Sequence, residues 1–304
     1  MENFGSAEFI SGTRDFLDNN TIVAKLTFVL LTIIVFVILF RVGYWFISFL
    51  LTPSQSPYLI RGMKDAKSFR QISQAPAKAG AIQIYRSKNQ YDGLEFTWSS
   101  WFYIDDPTGG GIINGQTYKN IFVKGSTKAI NGTNGGIFDN TNCPGVYLTN
   151  KSIESSTYEN NFNQITISLV VRLDIFPYKD TSTGETRYWQ DIIIPNIPIK
   201  KWVNVIIRCN SQNIADVFIN GSLMKRVKLE TPVRQNYDDV FVNANGGFDG
   251  YISDLRYMNY SIGTFEIDRI VNSGANLKME ESSNISESNP HYLSTKWIFG
   301  ETAV

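Results

Sequence analysis

Hydrophobic and polar positions divide the chain into one long apolar stretch and a longer region of short runs. The stretch Leu26–Phe40 reads LTFVLLTIIVFVILF, with no charge and no helix breaker. Lys25 and Arg41 bound it, and apolar residues resume as VGYWFISFLL before Pro53. A hydrocarbon core of roughly 30 Å needs about 20 helical residues. The pattern therefore predicts one transmembrane helix over residues 22–51.

The flanks of this stretch fit a membrane anchor. Long basic side chains can carry their charges to the interface, so Lys25 and Arg41 can flank the span. Tyr44 and Trp45 then fall where an aromatic belt is expected. A buried core helix and a cleaved signal peptide are the alternatives. The first lacks other helical sequence to cover it, and the second lacks a small-x-small cleavage pattern after Leu51.

From Ile82 onward, short apolar runs are separated by Gly, Asn and Asp. Their spacing near ten residues, without intervening helices, predicts a mainly β fold: an antiparallel two-sheet jelly-roll sandwich. The candidate strands are Leu94–Ile104, Lys119–Lys124, Gly145–Leu148, Ile165–Leu173, Tyr188–Ile194, Trp202–Cys209, Ala215–Ile219, Leu223–Leu229, Val240–Val242 and Gly250–Tyr257.

Local signals refine this picture. Asn220-Gly221 lies between two apolar runs, and both residues tolerate the positive φ of a two-residue hairpin turn. TFEIDRIV at Thr264–Val271 predicts a short helix that Gly274 ends. Two runs place alternate residues on a shared face, which are Phe96, Trp98, Phe102 and Ile104 in the first run, and Val203, Val205, Ile207 and Cys209 in the second.

The domain organisation follows from these patterns. We expect a polar tail at 1–21, the anchor at 22–51, a basic linker at 52–81, the jelly roll at 82–273 and a tail at 274–304. The tail contains the apolar HYLSTKWIFG, which we expect to dock back on the domain.

Charge bears on topology and partners. The chain has 28 basic and 28 acidic residues, so it carries no electrostatic footprint for nucleic acid. The basic residues near the span are Arg14 and Lys25 before it, and Arg61, Lys64, Lys67 and Arg70 after it. Positive charge stays on the cytoplasmic side, which places the domain there. The same linker charges could contact anionic headgroups or simply be solvated.

Cysteine and histidine are scarce. Cys143 and Cys209 allow one disulfide, and with His291 as the single histidine no zinc site or Ser-His-Asp arrangement is expected. Six N-x-[ST] sequons occur, a number so close to chance for this composition that they say little about glycosylation: Asn19, Asn131, Asn150, Asn220, Asn259 and Asn284.

Three segments in order resemble the laminin-G-like branch of the concanavalin A-like lectin/glucanase superfamily. FTWSSWFYID at Phe96–Asp105 looks like its early strand with a buried tryptophan. The segment Lys201–Leu229 looks like its central hairpin, and Phe248–Ile267 like its closing strand and short helix. The resemblance implies a lectin-like sandwich over about residues 94–273. Membrane-anchored domains of this kind are familiar in large DNA viruses. The resemblance therefore implies, as an expectation, that this chain is a viral membrane protein.

The glucanase members use Glu-x-Asp-x-x-Glu on one strand for retaining hydrolysis. The nearest run here begins at Glu266 and Asp268, but Val271 replaces the final acid and the run lies on the predicted helix. We therefore predict that the protein is not an enzyme, and no catalytic, cofactor-binding or metal-binding residue is assigned.

Lectin-like members often hold Ca²⁺ on loops through Asp and Asn oxygens. The candidate ligands, which can equally cap strands and turns, are Asp105, Asp106, Asp139, Asn140, Asp238 and Asp239. Ca²⁺ is thus possible, and no other cofactor is expected. The aromatic residues that could stack on sugar rings, or pack in the core instead, are Trp101, Tyr103, Tyr188 and Trp189.

Two functions follow. The first is a non-enzymatic membrane-anchored structural or binding protein, a virion minor capsid or membrane protein that links an internal bilayer to the capsid. Its partners would be the lipid bilayer and other proteins of a large assembly, including capsid proteins. The alternative is a surface-displayed lectin-like receptor whose partners are glycans.

Overall fold

The computed structural model describes residues 22–51, 54–78, 80–85, 89–90, 93–106, 118–125, 137–138, 142–149, 167–180, 184–234 and 236–280. The chain divides into two compact units, Met1–Ser54 and Gln55–Val304.

The first unit contains one long helix, α1, over Ile22–Leu51. Its side chains are exposed along nearly the whole length, and Ile22–Phe49 is long and apolar enough to cross a membrane. The hydroxyls of Thr27 and Thr32 donate to carbonyls four residues earlier, at 2.8 Å each. Since these polar groups are satisfied within the helix, they suit an apolar environment. The predicted N-terminal apolar helix is confirmed.

The second unit is built from strands. In its described part these are β1 Met63–Asp65, β2 Arg70–Ile72, β3 Asn89–Gln90, β4 Gly93–Leu94, β5 Phe96–Asp106, β6 Tyr118–Lys124, β7 Gly145–Thr149, β8 Ser168–Lys179, β9 Thr186–Ile194, β10 Trp202–Cys209, β11 Ile214–Ile219, β12 Ser222–Lys228, β13 Val240–Val242 and β14 Asp249–Met258.

Two six-stranded antiparallel sheets form a sandwich, which confirms the predicted fold class. The first sheet has the order β1-β14-β5-β10-β11-β12, and the second has β2-β13-β6-β7-β8-β9. β3 and β4 make a separate small hairpin. Strands distant in sequence lie side by side in both sheets, so the sandwich depends on long-range pairing.

The core lies between the sheets, and both predicted faces point into it. Trp98 in β5 is 2% exposed. Its ring stacks on Phe122 of the second sheet with centroids 5.3 Å apart and meets Tyr257 edge-on at 5.0 Å. Val203 and Val205 in β10 are buried in the same cluster. Period-2 side-chain placement therefore assigns these residues to the core as predicted.

The hairpin between β11 and β12 has the predicted turn. Asn220 has φ 50° and Gly221 has φ 81°, the left-handed pair that a two-residue turn requires. The Asn204 backbone N–H donates to Oδ1 of Asn220 at 2.8 Å. This contact ties the turn to the neighbouring strand β10.

A second helix, α2, covers Thr264–Ser273 and ends at Gly274, which has φ 71°. It packs Ile267 on the outer face of the first sheet, against a cluster that includes Ile206, Phe218 and Met258. The sequence placed this helix at Thr264–Val271, so it extends two residues further than expected.

The predicted linker at 52–81 needs correction. β1 and β2 from this segment are the edge strands of the first and second sheets, and Leu59 and Ile60 are fully buried in the core. Each strand has only three residues, too few to show an alternating pattern among polar neighbours. The sandwich therefore begins at Gln55 rather than at residue 82.

The basic residues of this segment also have partners within the sandwich. Lys64 and Arg70 form ion pairs with Glu280, and Lys67 pairs with Asp249 at 3.0 Å. The guanidinium of Arg61 lies over the ring of Tyr58. These ion pairs hold β1 and β2 to the fold, and the Lys67 side chain remains 54% exposed to solvent.

The described start of the C-terminal tail runs beside β1. The Met63 N–H donates to the Lys278 carbonyl at 2.7 Å, and Met63 pairs with Met279 in parallel. Ser253 Oγ donates to the Asn276 carbonyl at 2.8 Å. The apolar HYLSTKWIFG segment, and the tail at 1–21, lie outside the described residues.

Candidate functional site

The outer face of the first sheet, which points away from the core, is partly covered. α2 packs over Ile206 and Phe218, and the segment 274–280 then reaches Ser253 and Met63. Trp101, which points to this face, is buried. Side chains stay accessible on β12, where Leu223 is 45% exposed, and in one line at the end of the sheet.

That line is formed by Tyr251, Tyr103 and Trp202, which we call the aromatic row. In the strand register Tyr103 lies directly opposite Tyr251 of β14 and opposite Trp202 of β10. Ring centroids are 6.3 Å apart for Tyr103 and Tyr251, and 5.7 Å for Tyr103 and Trp202, with interplanar angles of 48° and 49°. Tyr251 is 38% exposed, and the other two rings are half-buried. The row is a cross-strand ladder of tilted rings.

Charged groups border the row. Asp65 of β1 lies opposite Tyr251, and Asp249 of β14 carries the ion pair with Lys67. The hydrogen bond to Asp249 raises the pKa of the Lys67 ammonium. Apolar ring faces next to fixed charges can pack against the C–H face of a ligand while its polar groups meet the border.

Sequence reasoning found one member of this row and missed two. Tyr103 was among the candidate stacking residues, but Trp202 was placed at the head of a core-facing strand. The alternation of side chains along the strand already indicated an outward Trp202, because Trp202 and Asn204 point to the opposite face of the sheet from Val203 and Val205. Tyr251 was not singled out.

The remaining aromatic candidates lie elsewhere. Tyr188 and Trp189 are exposed on β9, the edge strand of the second sheet. The Arg172 guanidinium lies 4.9 Å from the Trp189 ring centroid and pairs with both oxygens of Asp191, at 2.7 Å each. One face of Trp189 is therefore occupied by its own fold.

The candidate calcium ligands that the structure describes form no cluster of three or more acidic side chains. Asp105 and Asp106 are exposed at the end of β5, and Asp139 and Asn140 lie outside the described residues. In the parts of the chain that the structure describes, no group of three or more His, Cys, Asp or Glu side chains is placed to hold a metal.

Asp239 shows what one of these acids does instead. Its Oδ1 accepts the Gln74 N–H at 2.9 Å and its Oδ2 accepts Gln71 Nε2 at 2.7 Å. Partial burial acts to raise the pKa of Asp239, but these hydrogen bonds outweigh it and the pKa is lowered. Asp239 therefore holds the β2 segment against β13, while its neighbour Asp238 is exposed.

The other described residues that the sequence singled out are buried or make contacts within the fold. Cys143 and Cys209 are free and buried, and burial raises the pKa of both thiols. Glu266 lies on α2 as predicted and accepts the Tyr260 hydroxyl at 3.1 Å. His291 lies outside the described residues.

One buried acid was not anticipated. Asp174 of β8 is buried, and its Oδ2 accepts the Asn142 N–H at 2.9 Å. Burial raises its pKa to about 6, although that hydrogen bond and the nearby Arg234 act in the opposite direction. It fastens the segment before β7 to β8, a contact between residues 32 positions apart.

Comparison with known proteins identifies no family. No family model matches the sequence, and no curated protein matches it. Among solved structures, the receptor binding domain of botulinum neurotoxin C/D mosaic serotype matches with a TM-score of 0.38 and 14% identity, over 60% of this chain and 36% of that one.

The binding domain of botulinum neurotoxin DC was matched in two complexes. With SialylT the TM-score is 0.35, at 15% identity over 59% of this chain and 35% of that one. With rat synaptotagmin II it is 0.31, at 15% identity over 59% and 36%. The chain thus spans about a third of these structures, and the likeness assigns no partner or activity to it.

Proposed function

We propose that this chain is a single-pass membrane protein without catalytic activity, whose β-sandwich binds a partner through the aromatic row. The observation that carries the proposal is that Tyr103, Trp202 and Tyr251 form one contiguous, accessible row of rings across three strands of the outer face. Tyrosine and tryptophan combine large contact area with a polar group, and they are enriched among residues that dominate binding energies.

The anchor is supported by the energetics of α1. Phe46, Ile47 and Phe49 are exposed, and burying each such side chain is worth about 1.5–3 kcal/mol. Placing Arg41 at the centre of a helix in a membrane costs about 2.5–3.5 kcal/mol. The apolar residues after Arg41 together outweigh that cost, so the span includes Arg41 and the helix up to its end at Leu51.

The finer form of the proposal concerns the partner. We propose that the partner is a protein layer. The sandwich would lie on the cytosolic side of the membrane, or would face the capsid from an internal virion membrane. The excess of basic residues after the span supports the side of the membrane. Pairing of Lys64, Lys67 and Arg70 in the folded domain does not alter this support, because the bias acts while the chain inserts. We also propose that the sandwich is related to laminin-G-like domains.

A glycan receptor is the second candidate, and the aromatic row favours it. Tilted aromatic rings can stack on the C–H faces of pyranose rings, and Asp65 and Asp249 offer acceptors for hydroxyls beside them. In this form the sandwich would lie on the outside of a cell or particle.

One experiment separates the two candidates. The full chain in lipid nanodiscs is applied to a glycan array with and without Ca²⁺, together with Trp202→Ala, Tyr103→Ala and Phe265→Ala. Phe265 is 80% exposed on α2, away from the row, and serves as the matched control. Saturable binding at micromolar concentration that the two row variants lose, and the control keeps, would establish the glycan receptor. Absence of any glycan binding would contradict the glycan receptor.

A further inference from the structure

We propose that α1 is itself an interaction surface: the face carrying Arg41, Tyr44 and Ser48 binds a second transmembrane helix that presents a carboxylate. This inference rests on the proposed membrane anchor. It adds to it a partner inside the bilayer, distinct from any partner of the sandwich.

The position of Arg41 within α1 is the first step. The helix does not end at this residue, as a flanking charge would suggest, but continues for ten residues, Val42–Leu51. At 1.5 Å per residue, Arg41 lies about 15 Å from the end of the helix. Long basic side chains carry their charge out to the interface when they lie near helix ends. In the span proposed above, which runs to the end of α1, Arg41 lies nearly three turns inside and has no such route.

The second step is the shortage of acceptors. A guanidinium has five N–H donors and no acceptor, and it stays charged. α1 contains no acidic residue between Ile22 and Leu51. The helix therefore offers no counter-charge of its own, and polar groups in hydrocarbon face the bundle interior or a partner rather than lipid.

The third step is the shape of the face. Arg41, Tyr44 and Ser48 are spaced i, i+3 and i+7, which places them on one side of the helix. Arg41 and Tyr44 are exposed. The opposite side carries Leu39, Gly43 and Phe46 around these positions and no charged residue, as expected for a surface in contact with lipid.

Charge complementarity decides the occupant. A second copy of α1 in a symmetric dimer would bring Arg41 against its own equivalent, and like charges repel strongly where the dielectric is low. A carboxylate on another helix accepts two parallel N–H bonds from a guanidinium. The occupant is therefore a transmembrane helix with an Asp or Glu at matching depth, a different protein from this one.

The test uses a defined probe in place of the natural partner. The full chain, labelled with a donor fluorophore, is reconstituted in bilayers with acceptor-labelled leucine-rich transmembrane peptides that carry Asp, Asn or Leu at the depth of Arg41. We expect the Asp peptide to associate roughly three- to thirtyfold more strongly than the Leu peptide, the range of interhelical polar contacts.

Two variants sharpen the result. Arg41→Leu should remove the preference for the Asp peptide, whereas Lys25→Gln, at the other end of α1, should keep it. Equal association of Asp and Leu peptides with the wild-type chain, or a preference that survives Arg41→Leu, would overturn the inference. A result in which Arg41→Leu changes only retention on anionic vesicles would also overturn it, since a lipid phosphate would then be the counter-charge.

Alkaline carbonate extraction separates this outcome from failure of the anchor. The wild-type chain, Arg41→Leu and Lys25→Gln should all stay with the bilayer. Release of the wild-type chain contradicts the proposed anchor itself. Retention without any preference for the Asp peptide contradicts only the partner inside the bilayer.

Discussion

Trp98 lies in the core between the two sheets and contacts one aromatic ring from each. It packs on Phe122 from the second sheet and on Tyr257 from its own. Truncation of a large buried aromatic leaves a cavity, so Trp98→Ala should lower the free energy of unfolding by about 3–5 kcal/mol. Trp202→Ala is the matched control: its ring is half-buried on the outer face, and it should cost less than half as much. Denaturant unfolding of the full chain measures both, and equal losses would contradict the assigned faces.

Asp174 should give the protein an unusual dependence on pH. Its folded-state pKa of about 6 lies above the unfolded value of 3.8, so between these values the folded chain holds a proton that the unfolded chain has lost. Its contribution is therefore full at low pH and disappears as pH rises through 6, by about 2–3 kcal/mol.

Asp174→Asn tests this directly, because the amide oxygen can still accept the Asn142 N–H but cannot titrate. The stability of Asp174→Asn relative to the wild type should increase between pH 4 and pH 7 in denaturant titrations. A difference that stays constant over this range would show that Asp174 is not a buried, protonated acid.

How far single residues could be predicted depends on the range of the interaction. Trp98 was placed in the core because period 2 along one strand suffices for that. Asp174 was not recognised, since its burial depends on Asn142 in a distant segment. Trp202 was not singled out, because the sequence assigned a face only to the alternate residues of its strand from Val203 onward.

At the level of elements, the β11–β12 turn provides a sharp test. Gly221 has φ 81°, where a side chain is strained, and an added Cβ would lie 3.4 Å from Val271 Cγ2. Gly221→Ala should destabilise the protein by about 1–2 kcal/mol. Ser222→Ala is the control, because Ser222 is the next residue of the same hairpin and its side chain is exposed. Thermal or denaturant unfolding should rank Gly221→Ala well below Ser222→Ala; equal values would mean that the turn is not under this constraint.

Elements with strong local patterns were predictable, and short edge strands were not. Trp202–Cys209 and Val240–Val242 have the predicted bounds, because apolar runs and turn residues delimit them. β1 and β2 were taken for a linker. Their three-residue strands exist through pairing with β14 and β13, which follow nearly two hundred residues later in the chain.

For the whole molecule, the aromatic row could not have been read from the sequence. Tyr103, Trp202 and Tyr251 become neighbours only through the pairing of β5 with β10 and with β14. Register across strands so distant in sequence is set by tertiary packing. The sequence could indicate a sandwich with outward aromatics, but not which three would align.

The side of the membrane is a prediction about the whole chain. After translation into sealed microsomes, added protease should digest the sandwich and leave a small fragment containing α1. The sequons should be unmodified and the thiols of Cys143 and Cys209 reduced, as expected on the cytosolic side. Asn259, at 4% exposure, has no room for a glycan in the folded domain. A protected domain whose gel mobility increases on deglycosylation would place it in the lumen and favour the glycan receptor.

The central claim is that α1 holds the sandwich in a bilayer, and alkaline carbonate extraction after microsomal translation tests it most directly. The wild-type chain and Val35→Leu should remain in the membrane pellet. Val35→Arg adds a second charge within the span at a cost of about 2.5–3.5 kcal/mol, so its pelleted fraction should fall sharply. Release of the wild-type chain into the supernatant, or full retention of Val35→Arg, would contradict the anchor.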